Sequence, residues 1–307
     1  MSRACGVCLG ESLPGEDYHP GCVKALFGTS RPPEIEVELA KLHTLALAMV
    51  GHTTLSGIQR KISVGLDHDR TTLRVAIQGG HYILKPQAQT YPHLPENEHV
   101  TMRLAALVGI DVPPCGLFRL RDGSIAYVVA RFDRLAGGGK LRQEDFCQLA
   151  ERSPKEKYEG SAELCARLVK KYASEPLIEL LRLFRLLVFV WWTANGDMHL
   201  KNFSLLATPE GLQRLSPAYD LLCTQLVIPD DQLALPVKGK RDRLTRADWL
   251  ELATTCGIGP KAAARVLDET AASLPQALEL VDRSALPRDD QQAYRGILEA
   301  RTRTLMP

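Results

Sequence analysis

The sequence has no excess of either charge. Across 307 residues, 38 Lys and Arg face 36 Asp and Glu, leaving a net charge of +2. No bulk basic field exists to hold a phosphate backbone, so direct nucleic-acid binding is not expected. A charge-free apolar run long enough to span a membrane is also missing. The most apolar stretch, from Leu177 to Ala194, carries Glu179, Arg182 and Arg185. It reads as a core helix, and no membrane association is expected. The N-terminus has neither the basic start nor the apolar centre of an export signal, so a cytoplasmic location is the expectation. In that setting the eight cysteines read as reduced thiols, metal ligands or packing residues rather than disulfides. Internal repeats and low-complexity tracts are absent. What remains is an ordinary globular composition, long enough for a large core and two lobes.

The order of local patterns suggests three parts: a small Cys/His module over 1–30, a strand-rich lobe over 31–134 and a helical lobe over 135–307. Arg31-Pro32-Pro33 closes the first part. A helix is expected from Glu34 to Met49, then strands at Lys61–Leu66, Thr72–Gln78 and His81–Lys85. Pro95 starts a second helix reaching about Val108, with Gly109 as its C-terminal cap. Strands Gly116–Leu120 and Ile125–Ala130 flank the turn at Asp122-Gly123. Gly137-Gly138-Gly139 reads as a connector. Beyond Glu144 helical patterns dominate, apart from a hairpin at Phe203–Ala207 and Leu212–Leu215. The fold class expected is α+β with the outline of a two-lobed kinase, a likeness that by itself says little about function.

The most informative stretch is Asn195-Gly196-Asp197-Met198-His199-Leu200-Lys201-Asn202-Phe203. It is a polar break between two apolar segments, and such groups need partners or a task. Asp197 and Asn202 stand five residues apart, the step that separates base and metal-binding amide in a kinase catalytic loop. Asp220 follows after the hairpin. Phosphoryl transfer needs positioning and charge neutralisation, and this order supplies the parts. Asp197 would orient or deprotonate an acceptor hydroxyl. Asn202 and Asp220 would hold Mg2+ through oxygen. Lys201 would place a cation near the transferred group, and His199 would shape the loop or act directly. Lys85 ends an apolar strand, where a kinase keeps its nucleotide lysine, and Glu98 on the next helix would pair with it. The stretch from Thr53 to Lys61 could cover phosphate with backbone amides, Ser56 and Lys61. Its single glycine, Gly57, does not match the Gly-rich kinase loop. For each charge alone, a solvated face is the plain alternative.

Together with Ile83-Leu84-Lys85-Pro86, Glu96-Asn97-Glu98-His99, Arg131-Phe132-Asp133-Arg134, Gln143-Glu144-Asp145-Phe146-Cys147-Gln148, Lys157-Tyr158-Glu159 and Pro217-Ala218-Tyr219-Asp220, these motifs resemble the ordered set of HipA-type serine/threonine kinases. These are toxins of bacterial toxin–antitoxin systems. The resemblance runs from about Thr54 to about Arg243. It implies ATP and Mg2+ as cofactors, Asp197 as catalytic aspartate, and Asn202 and Asp220 as magnesium ligands. Lys85 would bind nucleotide phosphates. Ser56, Gly57, Ile58, Gln59 and Lys61 would cover them, and backbone from Ala130 to Phe132 would meet adenine. Thr54 and Ser56 would be sites of autophosphorylation, whose charge favours an open loop. The implied substrates are host proteins such as aminoacyl-tRNA synthetases, with translation and growth inhibited. The implied partners are an antitoxin with a helix-turn-helix domain and, in the compact HipT-like branch that the chain looks closest to, a small separate HipS-like protein. Two competing readings remain open: a small-molecule or lipid kinase, and a catalytically silent kinase-like binding subunit.

Near the N-terminus, Cys5, Cys8, His19 and Cys22 form a C-x2-C-x10-H-x2-C pattern. Four such ligands suit a closed tetrahedral zinc site, and a short module needs such a staple. Free thiols around a core histidine are the alternative. Cys115, Cys147, Cys165, Cys223 and Cys256 lack ligand spacing and read as packing residues.

Overall fold

The computed structural model describes residues 4–35, 38–39, 60–88, 90–135 and 137–306. The chain divides into two compact units. The first comprises Met1–Arg103, Pro113–Arg131 and Arg283–Leu286; the second comprises Leu104–Val112, Phe132–Asp282 and Pro287–Pro307.

The first unit is built on a five-stranded antiparallel sheet. Its strands are β1 (Ile62–Leu66), β2 (Leu73–Val75), β3 (Tyr82–Pro86), β4 (Cys115–Arg119) and β5 (Ile125–Ala130), in the order β2-β1-β3-β5-β4. β5 is an almost continuous apolar run, as a central strand covered on both faces requires. Its pairing with β3 sets Lys85 opposite Tyr127 and Leu84 opposite Val128. Helix α1 (Pro20–Phe27) follows the Cys/His segment, with proline in its first turn and Gly28 at φ 72° closing its end. Val23, Leu26 and Phe27 of α1 share one buried cluster with Ile62, Val64, Tyr82, Leu84 and Phe118 of the sheet. Helix α2 (Leu94–Leu107) carries the Glu96-Asn97-Glu98-His99 segment. Gly109 ends it at φ 76°, its N–H bonded to the Ala106 carbonyl, a left-handed close that favours glycine.

The expected strands and second helix lie within a few residues of those observed, although β2 is shorter than predicted. Glu34 was expected to begin a helix. Instead it forms a parallel bridge to Thr72, with its N–H on Thr71 O at 2.7 Å and its carbonyl on Leu73 N at 2.9 Å. Pro33 before it disposes the chain to extended backbone. Most of that expected helix lies outside the described residues.

The second unit centres on α5 (Pro176–Trp192), which is buried along most of its length from Leu180 onward. Around it pack α4 (Ala162–Tyr172), α7 (Pro260–Ala272) and α9 (Arg288–Leu305). Helix α6 (Arg246–Thr255) sets its buried Trp249 edge-on against Phe184 and Trp191 of α5, and α8 (Leu274–Asp282) packs on α9. Trp192 is fully buried and its indole N–H reaches Thr302 Oγ1 at 2.8 Å, as a buried indole requires. A three-stranded sheet, β6 (Gln143–Asp145), β7 (Ser204–Ala207) and β8 (Gln213–Leu215), lies in this unit in that order. The hairpin was expected; β6 was not. Three residues hold no readable alternation, and only their pairing with β7 makes them a strand. β6 leads into α3 (Phe146–Leu149) through a capping box between Asp145 and Gln148. Among the described residues, no helix is long and apolar enough to cross a membrane.

Candidate functional site

Helix α5 delivers the polar loop of the second unit. The helix ends where Ala194 turns to φ 54° and the Asn195 N–H closes on Val190 O. Thr224 then clamps the chain: its hydroxyl donates to Ala194 O at 3.0 Å and accepts from Gly196 N–H at 2.7 Å. Position 196 admits only glycine. A Cβ there would stand 2.0 Å from Asp231 Oδ2 and 2.5 Å from the Gln232 carbonyl. The loop bonds to itself through His199 N–H to Asp197 O and Asn202 N–H to His199 O, both at 2.9 Å.

Within this frame Asn202 is buried, and its Nδ2 donates to the Asp197 carbonyl at 3.1 Å. That bond fixes the amide and presents Oδ1 as its acceptor end. The Asp197 carboxylate is half-exposed. Its Oδ1 accepts the Tyr158 hydroxyl at 2.7 Å, so a hydroxyl donor already occupies the place next to the acid. Leu200 N–H holds Lys157 O at 3.0 Å, which keeps the Lys157-Tyr158 segment against the loop. Burial and the bond to Asp197 push the Tyr158 phenol above its ordinary range. The Tyr158 ring meets His199 edge-on, with centroids 5.1 Å apart. His199 is buried, and its Nε2 lies 3.9 Å from Asp197 Oδ1. Burial holds its imidazole below the usual value; the Asp197 charge opposes this first, and Asp220 also acts in that direction. The two carboxylates therefore both act on one ring. Asp220 itself sits at φ 55°, a left-handed backbone that Asp tolerates better than most residues.

Lys201 was expected near a transferred phosphoryl group. In the structure its ammonium pairs with Asp145 Oδ2 at 2.8 Å. Asp145 is the N-cap of α3 and accepts from Gln148 N–H at 2.8 Å. A relay binds the two acid-bearing segments together. Gln143 Nε2 donates to Ser204 Oγ at 3.0 Å, Ser204 Oγ meets Tyr219 Oη at 2.6 Å, and Tyr219 donates to the Lys201 carbonyl at 3.0 Å. The hydroxyl beside Asp220 is thus anchored on the backbone beside Asn202. The Phe132 ring tilts against Tyr219 at 5.7 Å. Tyr158, Asp145, Tyr219 and Thr224 were given no role from sequence. Only the Asp145 capping box carried a local signal.

In the first unit, Lys85 and Glu98 form a direct ion pair with both side chains 3% exposed. Such a pair survives burial only when well formed. The Lys85 ammonium also lies 5.6 Å from the Tyr127 ring centroid. Of the backbone expected to meet adenine, the N–H groups of Ala130 and Arg131 donate to Pro114 O and His81 O. Lys61 leads into β1, while Thr54, Ser56, Gly57, Ile58 and Gln59 lie outside the described residues. The ligand atoms of Cys5, Cys8, His19 and Cys22 all lie within 4.8 Å of one another. The other five cysteines are buried and unbonded to one another, as packing residues are.

Residues 53–278 match the family described as HipA-like C-terminal domain. The chain belongs to that family. Its HipA-like region covers the catalytic-type loop, Asp220 and the Lys85–Glu98 pair. Protein Y4mE of Sinorhizobium fredii is 34% identical over 243 residues, 74% of this chain and 57% of that protein. The serine/threonine-protein kinase toxin HipA of Shewanella oneidensis is 26% identical over 267 residues, 78% of this chain and 60% of that protein. The chain therefore spans less than two thirds of these relatives' own lengths. A chain from the solved complex of Shewanella oneidensis HipA, HipB and operator DNA superposes with a TM-score of 0.69 at 24% identity, covering 81% of this HipA-like chain and 64% of that one. That likeness is one of fold.

Proposed function

We propose that this HipA-like chain is an ATP-dependent serine/threonine protein kinase and the toxin of a toxin–antitoxin pair. One observation carries the reading: a tyrosine hydroxyl donates to Asp197 while the Nδ2 of the neighbouring Asn202 amide is held on the Asp197 carbonyl, which leaves Oδ1 as its acceptor end. An acceptor hydroxyl would take the place of the Tyr158 hydroxyl, and Asp197 would orient it and accept its proton. Asn202 and Asp220 supply oxygen donors only, which fits Mg2+. When bound, Mg2+ and ATP supply the γ-phosphoryl group and neutralise its charge. Lys85, aligned by Glu98, would hold the nucleotide phosphates. Lys201 keeps the loop on Asp145 and could turn toward phosphate if that pair opened. His199 packs beneath Tyr158 and holds the loop's shape.

The finer parts of the proposal rest on family likeness. The substrate would be a host protein such as an aminoacyl-tRNA synthetase, with translation as the process stopped. HipB and operator DNA accompany the HipA of the solved complex. We extend that to a helix-turn-helix antitoxin here, with a small HipS-like protein joining it under the compact HipT-like reading. Thr54 and Ser56 would be the autophosphorylated hydroxyls, a structural Zn2+ would sit at the N-terminal cysteines, and the site of action would be the cytoplasm. The deciding assay is transfer of label from [γ-32P]ATP to protein with magnesium present. The wild-type chain should label itself or a host protein on serine or threonine, and Asp197→Asn should lose that labelling. Equal labelling by both would refute the assignment of Asp197, and label appearing only in small molecules would favour a metabolite kinase.

A further inference from the structure

The N-terminal Cys/His segment is hydrogen-bonded into the sheet unit. Gly6 O accepts the Leu117 N–H of β4 at 2.8 Å, and the Tyr18 hydroxyl donates to Leu117 O at 3.0 Å. The Tyr18 ring stacks on Phe118 with centroids 4.9 Å apart. Gly6 has no room for a side chain, since a Cβ would stand 2.9 Å from Leu117 O and 2.7 Å from the Tyr18 ring. One bond reaches further. Val7 lies between Cys5 and Cys8, and its carbonyl accepts from Nε2 of His99 at 3.0 Å. His99 is wholly buried on α2, next to Glu98, the partner of Lys85.

The four ligand atoms are set for a tetrahedral ion. His19 Nε2 donates to Glu11 O at 2.7 Å, which fixes the tautomer and leaves Nδ1 as the ligating nitrogen. That Nδ1 stands 3.3 Å from Cys8 Sγ and 3.7 Å from Cys22 Sγ. Ligands at zinc–sulfur and zinc–nitrogen distances would be about 3.5–3.8 Å apart in a tetrahedron. Backbone N–H groups already point at two sulfurs: His19 N–H to Cys5 Sγ and Gly10 N–H to Cys8 Sγ, both 3.3 Å. Three sulfurs and one imidazole form a donor set that selects zinc over magnesium or calcium.

We propose that Cys5, Cys8, His19 and Cys22 bind one zinc ion, and that this ion braces helix α2 by holding the Val7 carbonyl on His99. The module is then part of the lysine–glutamate subsite rather than a separable finger. Binding displaces the thiol protons of Cys5, Cys8 and Cys22 to solvent and leaves the oxidation state of every group unchanged. The ion closes the Cys5–Cys8 loop, and that loop sets where Val7 O stands. His99 Nε2 follows Val7 O, and the preceding residue, Glu98, meets Lys85. The significance of the brace for nucleotide binding rests on the proposed role of Lys85; the metal site and the tie to α2 do not.

The experiment uses the full chain. Metal analysis should find one zinc per chain, and cobalt exchanged into the site should give the visible absorption of a tetrahedral thiolate complex. Cys8→Ser should lose the metal, whereas Cys22→His should keep it. Absence of zinc both as purified and after refolding with zinc would overturn the site. Hydrogen exchange then reads the brace without any nucleotide. His99→Leu should keep its zinc, yet its α2 amides should exchange about tenfold faster or more, as expected when a buried tie is removed. Exchange in α2 that is unchanged in zinc-loaded His99→Leu would overturn the brace. A chain with zinc and a protected α2 that fails to bind magnesium–ATP would sink only the kinase reading.

Discussion

Replacing Glu98 by alanine should cost this chain more than any surface charge could. The Lys85 ammonium is 3% exposed and Glu98 is its ion-pair partner. The variant leaves a cation buried beside Tyr127 without its carboxylate. Breaking a buried pair from one side costs about 3–5 kcal/mol. At roughly 2–4 °C per kcal/mol for a unit of moderate size, the melting point should fall by about 10 °C. All three tryptophans, Trp191, Trp192 and Trp249, lie in the second unit. Far-UV circular dichroism, not tryptophan fluorescence, is therefore the probe for the unit that holds the pair. The double variant Lys85→Met, Glu98→Leu replaces two charges with apolar groups of similar length. It should recover to within about 1–2 kcal/mol of wild type, because buried pairs are often no more stabilising than good packing. It should also lose phosphoryl transfer. Stability restored without activity would mean that the charges serve the nucleotide and not the fold. A cost below about 1 kcal/mol for Glu98→Ala, or a double variant no better than the single one, would refute the claim that this pair is desolvated and coupled.

Other outcomes follow from particular contacts. Gly196→Ala drives a Cβ into Asp231 and the Gln232 carbonyl; a displacement costing about 1–3 kcal/mol and a severe loss of transfer should appear in parallel melting and activity assays. Tyr158→Phe removes the hydroxyl bonded to Asp197, whose place an acceptor would take in the proposed reaction. Titration of the acceptor should show KM lowered by up to about tenfold, the equivalent of about 1.4 kcal/mol, with little change in Tm; a raised KM would instead make Tyr158 a substrate contact. Acid should weaken the first unit through His99. Burial lowers its pKa from 6.5 to about 4, so the unfolded chain takes up a proton at higher pH than the folded one. The stability this provides is present above 6.5 and is lost as pH falls toward 4, by roughly 3 kcal/mol in all. His99→Gln should remove that part of the slope in urea titrations across this range, leaving any contribution from the N-terminal cysteines unchanged.

How much of the site was readable differs by how local its cause is. The loop from Asn195 to Phe203 could be recognised because apolar runs on both sides make its polar groups conspicuous. Lys85 stood out as the charged end of an apolar strand, and the Cys/His cluster by its spacing. Tyr158 could not be placed, because its bond to Asp197 joins residues 39 positions apart. The relay from Gln143 through Ser204 and Tyr219 to Lys201 is equally non-local, since two chain segments must first pair as strands. His99 and Val7 are separated by 92 positions, and only a folded sheet brings them together. The strand at 143–145 and the bridge from Glu34 to Thr72 were missed because short edge pairings depend on their neighbours and hardly on their own residues.

In the proposed reaction, oxygen donors from two segments of the second unit meet at one metal. The direct measurement is a crystal structure of the full chain with Mn2+ and a non-hydrolysable ATP analogue, with the metal located by its anomalous signal. The expected result is an ion about 2.0–2.2 Å from Asn202 Oδ1 and from an Asp220 carboxylate oxygen. An ion bound elsewhere, or an Asp220 carboxylate that stays out of coordination range, would contradict it.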